Sequence, residues 1–144
     1  MKIKKVTEVS CYMENKPGVL GKVAGALDQE GIKIIGLHSY EGHLQNMTRF
    51  VLADKDLTKS EMILRSLGID LITQIGVLEV LFQSKSGFIA KLTSLLGEAG
   101  INIQVMYFTE SPDGATMAYI TVSNTDKALE ILEDANKTEA FSKY

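Results

Sequence analysis

The stretch best suited to bind a small anion is Asn15-Lys16-Pro17-Gly18-Val19-Leu20, where a strand pattern gives way to a helix pattern. The free N–H groups and the positive dipole end of a new helix favour a carboxylate above such a turn. Gly18 leaves room for a ligand, Pro17 stiffens the loop, and Asn15 offers a donor and an acceptor. Pro-Gly is also the usual pair of an ordinary type II turn, so the stretch alone leaves both interpretations open.

A second stretch of this kind, Gln83-Ser84-Lys85-Ser86-Gly87-Phe88-Ile89, follows 69 residues later. The same shift pairs Gly31 with Gly100 without a gap. Between Glu14 and Glu41 it gives eight identities in 28 positions, against about two expected from ordinary residue usage. We therefore infer an internal duplication.

Each half of the sequence predicts the order strand, helix, strand, strand, helix, strand. In the first half, strands are expected at residues 6–13, 32–40, 47–53 and 69–74. In the second half they are expected at residues 77–82, 101–109, 116–122 and 139–143. Apolar residues spaced by three and four predict the intervening helices, and a glycine ends the first helix of each half.

This order is typical of an α+β fold made of two ferredoxin-like βαββαβ units, each an antiparallel four-stranded sheet with its helices on one face. We expect the two domains at residues 1–74 and 75–144. In the second half, Met106 and Phe108 alternate with Val105 and Tyr107, so both sheet faces are partly apolar. Part of the helix-free face is therefore expected to be covered, by the sister domain in a side-by-side pair or by another chain.

The first turn, together with Glu30-Gly31-Ile32-Lys33-Ile34 after the helix, resembles the ACT domain. The second half resembles the same family through Gly87-Phe88-Ile89, Glu98-Ala99-Gly100-Ile101-Asn102-Ile103 and Met106-Tyr107. The resemblance covers nearly the whole chain as a tandem pair. It implies a regulatory module that binds an amino acid or a similar small metabolite. Such domains usually accompany an enzyme domain, and this sequence shows none.

The resemblance also implies a site between two paired domains, with the turn from one and an Asn at the start of the second strand from the other. Here the expected ligand-binding set is Asn15, Lys16, Pro17, Gly18, Val19, Leu20 and Asn102. A candidate second site would combine Ser84, Ser86, Gly87, Phe88 and Ile89 with Lys33. That second set departs from the family pattern, so we expect one competent pocket for each pair of unlike copies. Met13 replaces a polar residue of some amino-acid-binding members, which leaves the ligand's identity open.

Composition excludes several other classes of function. The net charge is −3 and the basic residues are dispersed, so neither nucleic acid nor a membrane is an expected partner. The lone Cys11 alternates with apolar strand residues and is predicted to be a small core residue in a cytoplasmic protein. His38 and His43 have no neighbours spaced for a metal site, and no catalytic set or cofactor motif is recognisable. Neither enzymatic activity nor a cofactor or metal is therefore expected.

Two functions remain open. The first is a stand-alone regulatory protein, expected to be a homodimer, that binds an amino acid between ACT domains and signals by changing its conformation or its affinity for a partner. The second is a regulatory or assembly subunit that binds no ligand and docks onto an amino-acid biosynthetic enzyme. The turn and Asn102 favour the first function, whereas the partly apolar second sheet face favours the other.

Overall fold

The computed structural model describes residues 1–83 and 85–143, which form six strands and four α-helices, with one 3₁₀ turn before the second helix. The α+β class is confirmed. In chain order the elements are β1 (Lys2–Glu14), α1 (Val19–Gln29), β2 (Gly36–Tyr40), β3 (Gln45–Val51), α2 (Leu57–Ser66), β4 (Ile72–Gln83), α3 (Phe88–Glu98), β5 (Ile103–Glu110), β6 (Ala115–Val122) and α4 (Thr125–Lys137).

The chain folds into two compact units, and the long strands β1 and β4 contribute residues to both. The N-terminal unit is Thr7–Ile75, and the C-terminal unit combines Met1–Val6 with the chain from Gly76 onward. In the N-terminal unit the strands follow the order β2-β3-β1, with the start of β4 next to β1. In the C-terminal unit the start of β1 is followed by β4, β6 and β5. Each unit thus has the ferredoxin-like arrangement expected from the sequence.

Each unit has its own hydrophobic core between its sheet and its two helices. In the N-terminal unit the alternating residues Val9, Cys11 and Met13 of β1 pack against α1 and α2. In the C-terminal unit Leu78, Val80 and Phe82 of β4 pack against α3 and α4. The period of two on these strands places every second side chain on the helix face, as the sequence pattern requires.

The closing strand predicted at residues 139–143 is wrong. That segment forms turns, and Glu139 has a φ of 56° that an extended strand does not allow. The start of β1 takes the place of the missing strand. Met1 and Ile3 pack against the C-terminal core, and Lys4 forms a 2.9 Å ion pair with Glu79, whose side chain is only 11% exposed. The chain's first residues therefore complete its second unit.

Candidate functional site

The two glycine turns have the same backbone geometry. Gly18 has φ 87° and ψ −15° before α1, and Gly87 has φ 91° and ψ −12° before α3. Both values match the third residue of a type II turn, a left-handed conformation that favours glycine. In each case the glycine carbonyl accepts the first helical hydrogen bond, at 2.9 Å, from Lys22 or Lys91. The geometry is therefore that of a type II turn that starts a helix, and the ligand-binding interpretation of the same stretch stays a prediction.

Two backbone donors at the start of α1 are available to a ligand. The N–H groups of Leu20 and Gly21 have no hydrogen-bond partner among residues 1–83 and 85–143, whereas that of Val19 donates to the Lys16 carbonyl at 3.4 Å. A Cβ added at Gly18 would meet nothing within 4 Å, so the space above the turn is open. Free N–H groups at the positive end of an 11-residue helix favour a carboxylate.

The Asn15 side chain mainly positions the turn, because both its Nδ2 and its Oδ1 already have hydrogen-bond partners. Its Nδ2 donates to the Gly42 carbonyl at 3.1 Å, and its Oδ1 accepts from Asn46 Nδ2 at 3.2 Å. Its backbone N–H donates to the Leu44 carbonyl at 3.0 Å. These bonds tie the turn to the β2–β3 hairpin. The side chain of the exposed Lys16 forms a 2.9 Å ion pair with Glu14, while Pro17 and Leu20 are exposed.

A pocket of about 360 Å³ lies beside this turn, inside the N-terminal unit. Its apolar lining comes from β1, α1 and the segment after α2, through Met13, Val19, Val23, Leu67 and Ile69. Val19 is the one residue of the predicted site among them. This volume falls within the range of small-molecule sites, which is about 300–1,000 Å³.

The same pocket carries polar groups that the sequence analysis did not assign to a site. Glu14, Lys22 and Gln45 line it together with the apolar residues. Lys22 is exposed and forms no ion pair with a described residue, while Glu14 and Gln45 face each other across the β1–β3 pair. A helical lysine that belongs to no motif cannot be told from an ordinary solvated residue in a sequence. The sequence therefore did not indicate that Lys22 lines a pocket.

The residues expected to complete the site belong to the other unit. Asn102 is exposed directly before β5. Its backbone N–H donates to the Ser123 hydroxyl at 3.1 Å, and its carbonyl accepts from the Ser123 backbone N–H at 2.9 Å. Its side-chain amide has no hydrogen-bond partner among the described residues. Because the turn and Asn102 lie in different units, their meeting stays a prediction.

The second candidate site is less suited to a ligand. Ser84 lies outside the described residues. Ser86 and Gly87 are exposed, but Phe88 is only 2% exposed and Ile89 packs against the C-terminal core. Lys33, expected to complete that site, is exposed in the N-terminal unit.

Cys11 is buried in the N-terminal core, which confirms its predicted structural role. Burial raises the pKa of its thiol from the ordinary value of 9.0 to about 11, because desolvation disfavours the thiolate. Such a thiol is a poor nucleophile at neutral pH.

The raised pKa predicts a loss of stability in alkali. The pKa of the Cys11 thiol is higher in the folded state than in the unfolded chain. The contribution of the protonated thiol to the free energy of unfolding is therefore complete below pH 9 and is lost as the pH rises towards about 11. Over that window the free energy of unfolding should fall by up to about 2.7 kcal/mol more than in Cys11→Ala. Urea unfolding of both proteins from pH 8 to 11 measures this difference. Parallel pH profiles would contradict the prediction.

The described residues hold neither a cluster suited to a metal ion nor a helix suited to span a membrane. No group of three or more His, Cys, Asp or Glu side chains in that part of the chain could hold a metal ion. Likewise, none of its helices is long and apolar enough to cross a membrane.

Comparison with known protein families gives a match over most of the N-terminal unit, at residues 7–68. The match is to the ACT domain. The matched segment contains the Gly18 turn and most of the residues that line the pocket. No curated protein sequence matches the chain significantly.

Solved structures share the fold along nearly the whole chain. A protein from Bacteroides thetaiotaomicron has a TM-score of 0.82 at 25% identity, over 93% of this chain and 90% of its own. The ligand-free regulatory subunit of aspartate kinase from Thermus thermophilus has a TM-score of 0.67 at 16% identity, over 92% and 95%. The aspartate kinase of Clostridium acetobutylicum matches at 0.58 and 17% identity, over 92% of this chain and 33% of its own. At these identities the two kinase matches show a common fold.

Proposed function

We propose that the chain is a regulatory protein with two ACT domains in tandem, which binds a free amino acid or a similar small metabolite. Ligand binding would change its conformation or its affinity for a partner. The ACT match supports this for the N-terminal unit. The repeated element order and the matching turn at Gly87 support it for the C-terminal unit. The fold shared with an aspartate kinase regulatory subunit is consistent with a metabolic enzyme as the partner.

The observation that carries this proposal is the start of α1. Two free N–H groups point out of a helix end that follows a left-handed glycine, beside a pocket of amino-acid size. An α-carboxylate satisfies the unpaired donors and gains from the helix dipole. The ammonium of Lys22, which lines the same pocket, adds a second positive group.

Asn102 is proposed to complete this site from a neighbouring unit, either in the same chain or in a second copy within a homodimer. Its exposed and unpaired amide is free to bind the ligand's polar groups. The reciprocal set, with Lys33 and the turn at Gly87, has its Phe88 ring in the core and is proposed to be degenerate.

A thermal-melt screen of the purified protein against the twenty amino acids tests this function. A ligand at 100 times its Kd adds about 2.7 kcal/mol, which raises the Tm by roughly 5 to 10 °C for a chain of this size. Asn102→Ala should abolish the shift without lowering the Tm of the free protein, because the Asn102 side chain makes no hydrogen bond to a described residue. Ser86→Ala, in the second turn, is the control and should keep the shift. An equal loss from Ser86→Ala would refute the single-site proposal.

A docking subunit that binds no ligand is the second candidate, favoured by one apolar row on the helix-free face. Tyr12, Met47 and Tyr40 are register neighbours across β1, β3 and β2. Tyr40 is 65% exposed, and Leu44 in the adjoining hairpin is 78% exposed. Exposed apolar groups of this kind suit a protein interface. No change in Tm with any amino acid would favour this function over the first.

A further inference from the structure

The space beneath the glycine turn is filled differently in the two units. In the N-terminal unit, Met13 and Val19 line the open pocket. A shift of 69 residues places Phe82 and Phe88 at these positions. The two rings stack with centroids 3.8 Å apart and planes within 9°, and the Phe141 ring lies 5.0 Å from Phe88. Aromatic rings therefore occupy, in the C-terminal unit, the positions that line an opening in the N-terminal one.

We propose that the N-terminal unit binds an amino acid with an aliphatic side chain in this pocket, and that the aromatic stack closes the equivalent place in the C-terminal unit. The inference rests on the proposed function, and it names the class of ligand and the unit that binds it.

The chemistry of the pocket matches the parts of such a ligand. The Lys22 ammonium lines the pocket and would hold the α-carboxylate, and the N–H groups of Leu20 and Gly21, unpaired among the described residues, lie at the same helix end. The ammonium lies near Glu14, whose Oε2 pairs with Lys16 while Oε1 stays available, and near the Gln45 amide.

The side chain of the ligand then packs on the apolar part of the pocket. The lining residues Met13, Val23 and Leu67 offer only aliphatic and thioether surface. A charged ligand side chain would be desolvated there without a partner, since Glu14 and Lys22 already bind the ligand's main-chain charges. Each buried methylene adds favourable transfer free energy, so leucine and methionine should bind at least about tenfold more tightly than glycine.

Isothermal titration of the whole chain with leucine, methionine, glycine, aspartate and lysine tests this assignment. Val19→Phe copies the residue of the closed unit and should weaken leucine binding by about tenfold or more, because the ring takes the space of the ligand's side chain. Met62→Phe adds a ring on an exposed part of α2 outside the pocket and should leave binding unchanged. Circular dichroism verifies the fold of both variants.

The duplicated lysines provide a second, matched pair. Lys22→Met keeps the aliphatic stem but removes the charge, so leucine affinity should fall, whereas Lys91→Met in the C-terminal unit should not change it. Equal effects of the two substitutions would place the charge requirement elsewhere and overturn the assignment.

The outcomes separate this inference from the proposed function. Tighter binding of a charged amino acid, or full leucine affinity in Val19→Phe, would overturn the pocket assignment and leave amino-acid regulation standing. Loss of binding in Asn102→Ala, with full leucine affinity kept in both Val19→Phe and Lys22→Met, would move the ligand out of this pocket and overturn the assignment. If none of the twenty amino acids binds, the proposed function falls and this inference falls with it.

Discussion

Deletion of residues 1–6 is expected to unfold the C-terminal unit or to lower its free energy of unfolding by about 5 kcal/mol or more. The deletion removes the edge of a four-stranded sheet, including the half-buried side chains of Met1 and Ile3, each of which contributes a part of the roughly 1.5–3 kcal/mol that full burial is worth. It also leaves Glu79, whose side chain is 11% exposed, without Lys4, and a nearly buried polar group that loses its partner costs about 1–3 kcal/mol, more when it is charged. Net stabilities of about 5–15 kcal/mol leave little margin for such losses.

Urea unfolding followed by circular dichroism, with hydrogen exchange on β4, β5 and β6, measures the effect of this deletion. Lys5→Ala is the control, because its 2.7 Å ion pair joins it to Asp126, whose side chain is 82% exposed. That substitution should cost less than about 1 kcal/mol. A truncated protein with the full-length urea midpoint and protected amides in β6 would show that the first residues are dispensable.

Phe88→Ala is expected to cost about 3–5 kcal/mol, the range for truncating a fully buried aromatic residue. Phe88 is 2% exposed and lies between Phe82 and Phe141, so its removal leaves a cavity and ends the ring stack, itself worth about 0.5–1.5 kcal/mol.

Val19→Ala, at the matching position of the other unit, is the control for Phe88→Ala and should cost about 1 kcal/mol, because Val19 is half-buried beside an open pocket. Chemical denaturation of the ligand-free proteins compares the two substitutions. Equal losses would mean that the two places beneath the turns are packed alike, which would also weaken the inference of one open and one closed unit.

The duplicated turn was predictable from the sequence because its conformation depends on local chemistry. A glycine after a strand pattern and before a helix pattern predicts a positive φ, and Gly18 and Gly87 both have one. The α+β class followed from the same local patterns. Nothing in these patterns depends on residues far away in the chain.

The missed features depend on distant parts of the chain. Residues 69–74 and 77–82 were predicted as separate strands but largely merge into the single strand β4, because no break occurs at Gly76. The edge strand of the C-terminal unit comes from residues 1–6, which take the place predicted for residues 139–143. The local pattern at residues 139–143 could not show that a distant segment would occupy this place.

The pocket also depends on packing between distant segments, yet the sequence held a sign of it. Comparing the halves at a shift of 69 places Phe82 and Phe88 against the smaller Met13 and Val19. That difference in side-chain volume next to two matching glycine turns is visible in the sequence itself. The lining from Leu67 and Ile69, by contrast, required the packing of α2.

The strand at the beginning of the chain has a consequence for folding during synthesis. Lys5 and Asp126 are 121 positions apart in sequence, and Met1 and Asn136 are 135 apart, so these contacts must close very long loops. The contiguous segment Thr7–Ile75 can fold as soon as it leaves the ribosome. Residues 1–6 must instead wait, unpaired, until the segments that they contact, as far along as Asn136, have been translated.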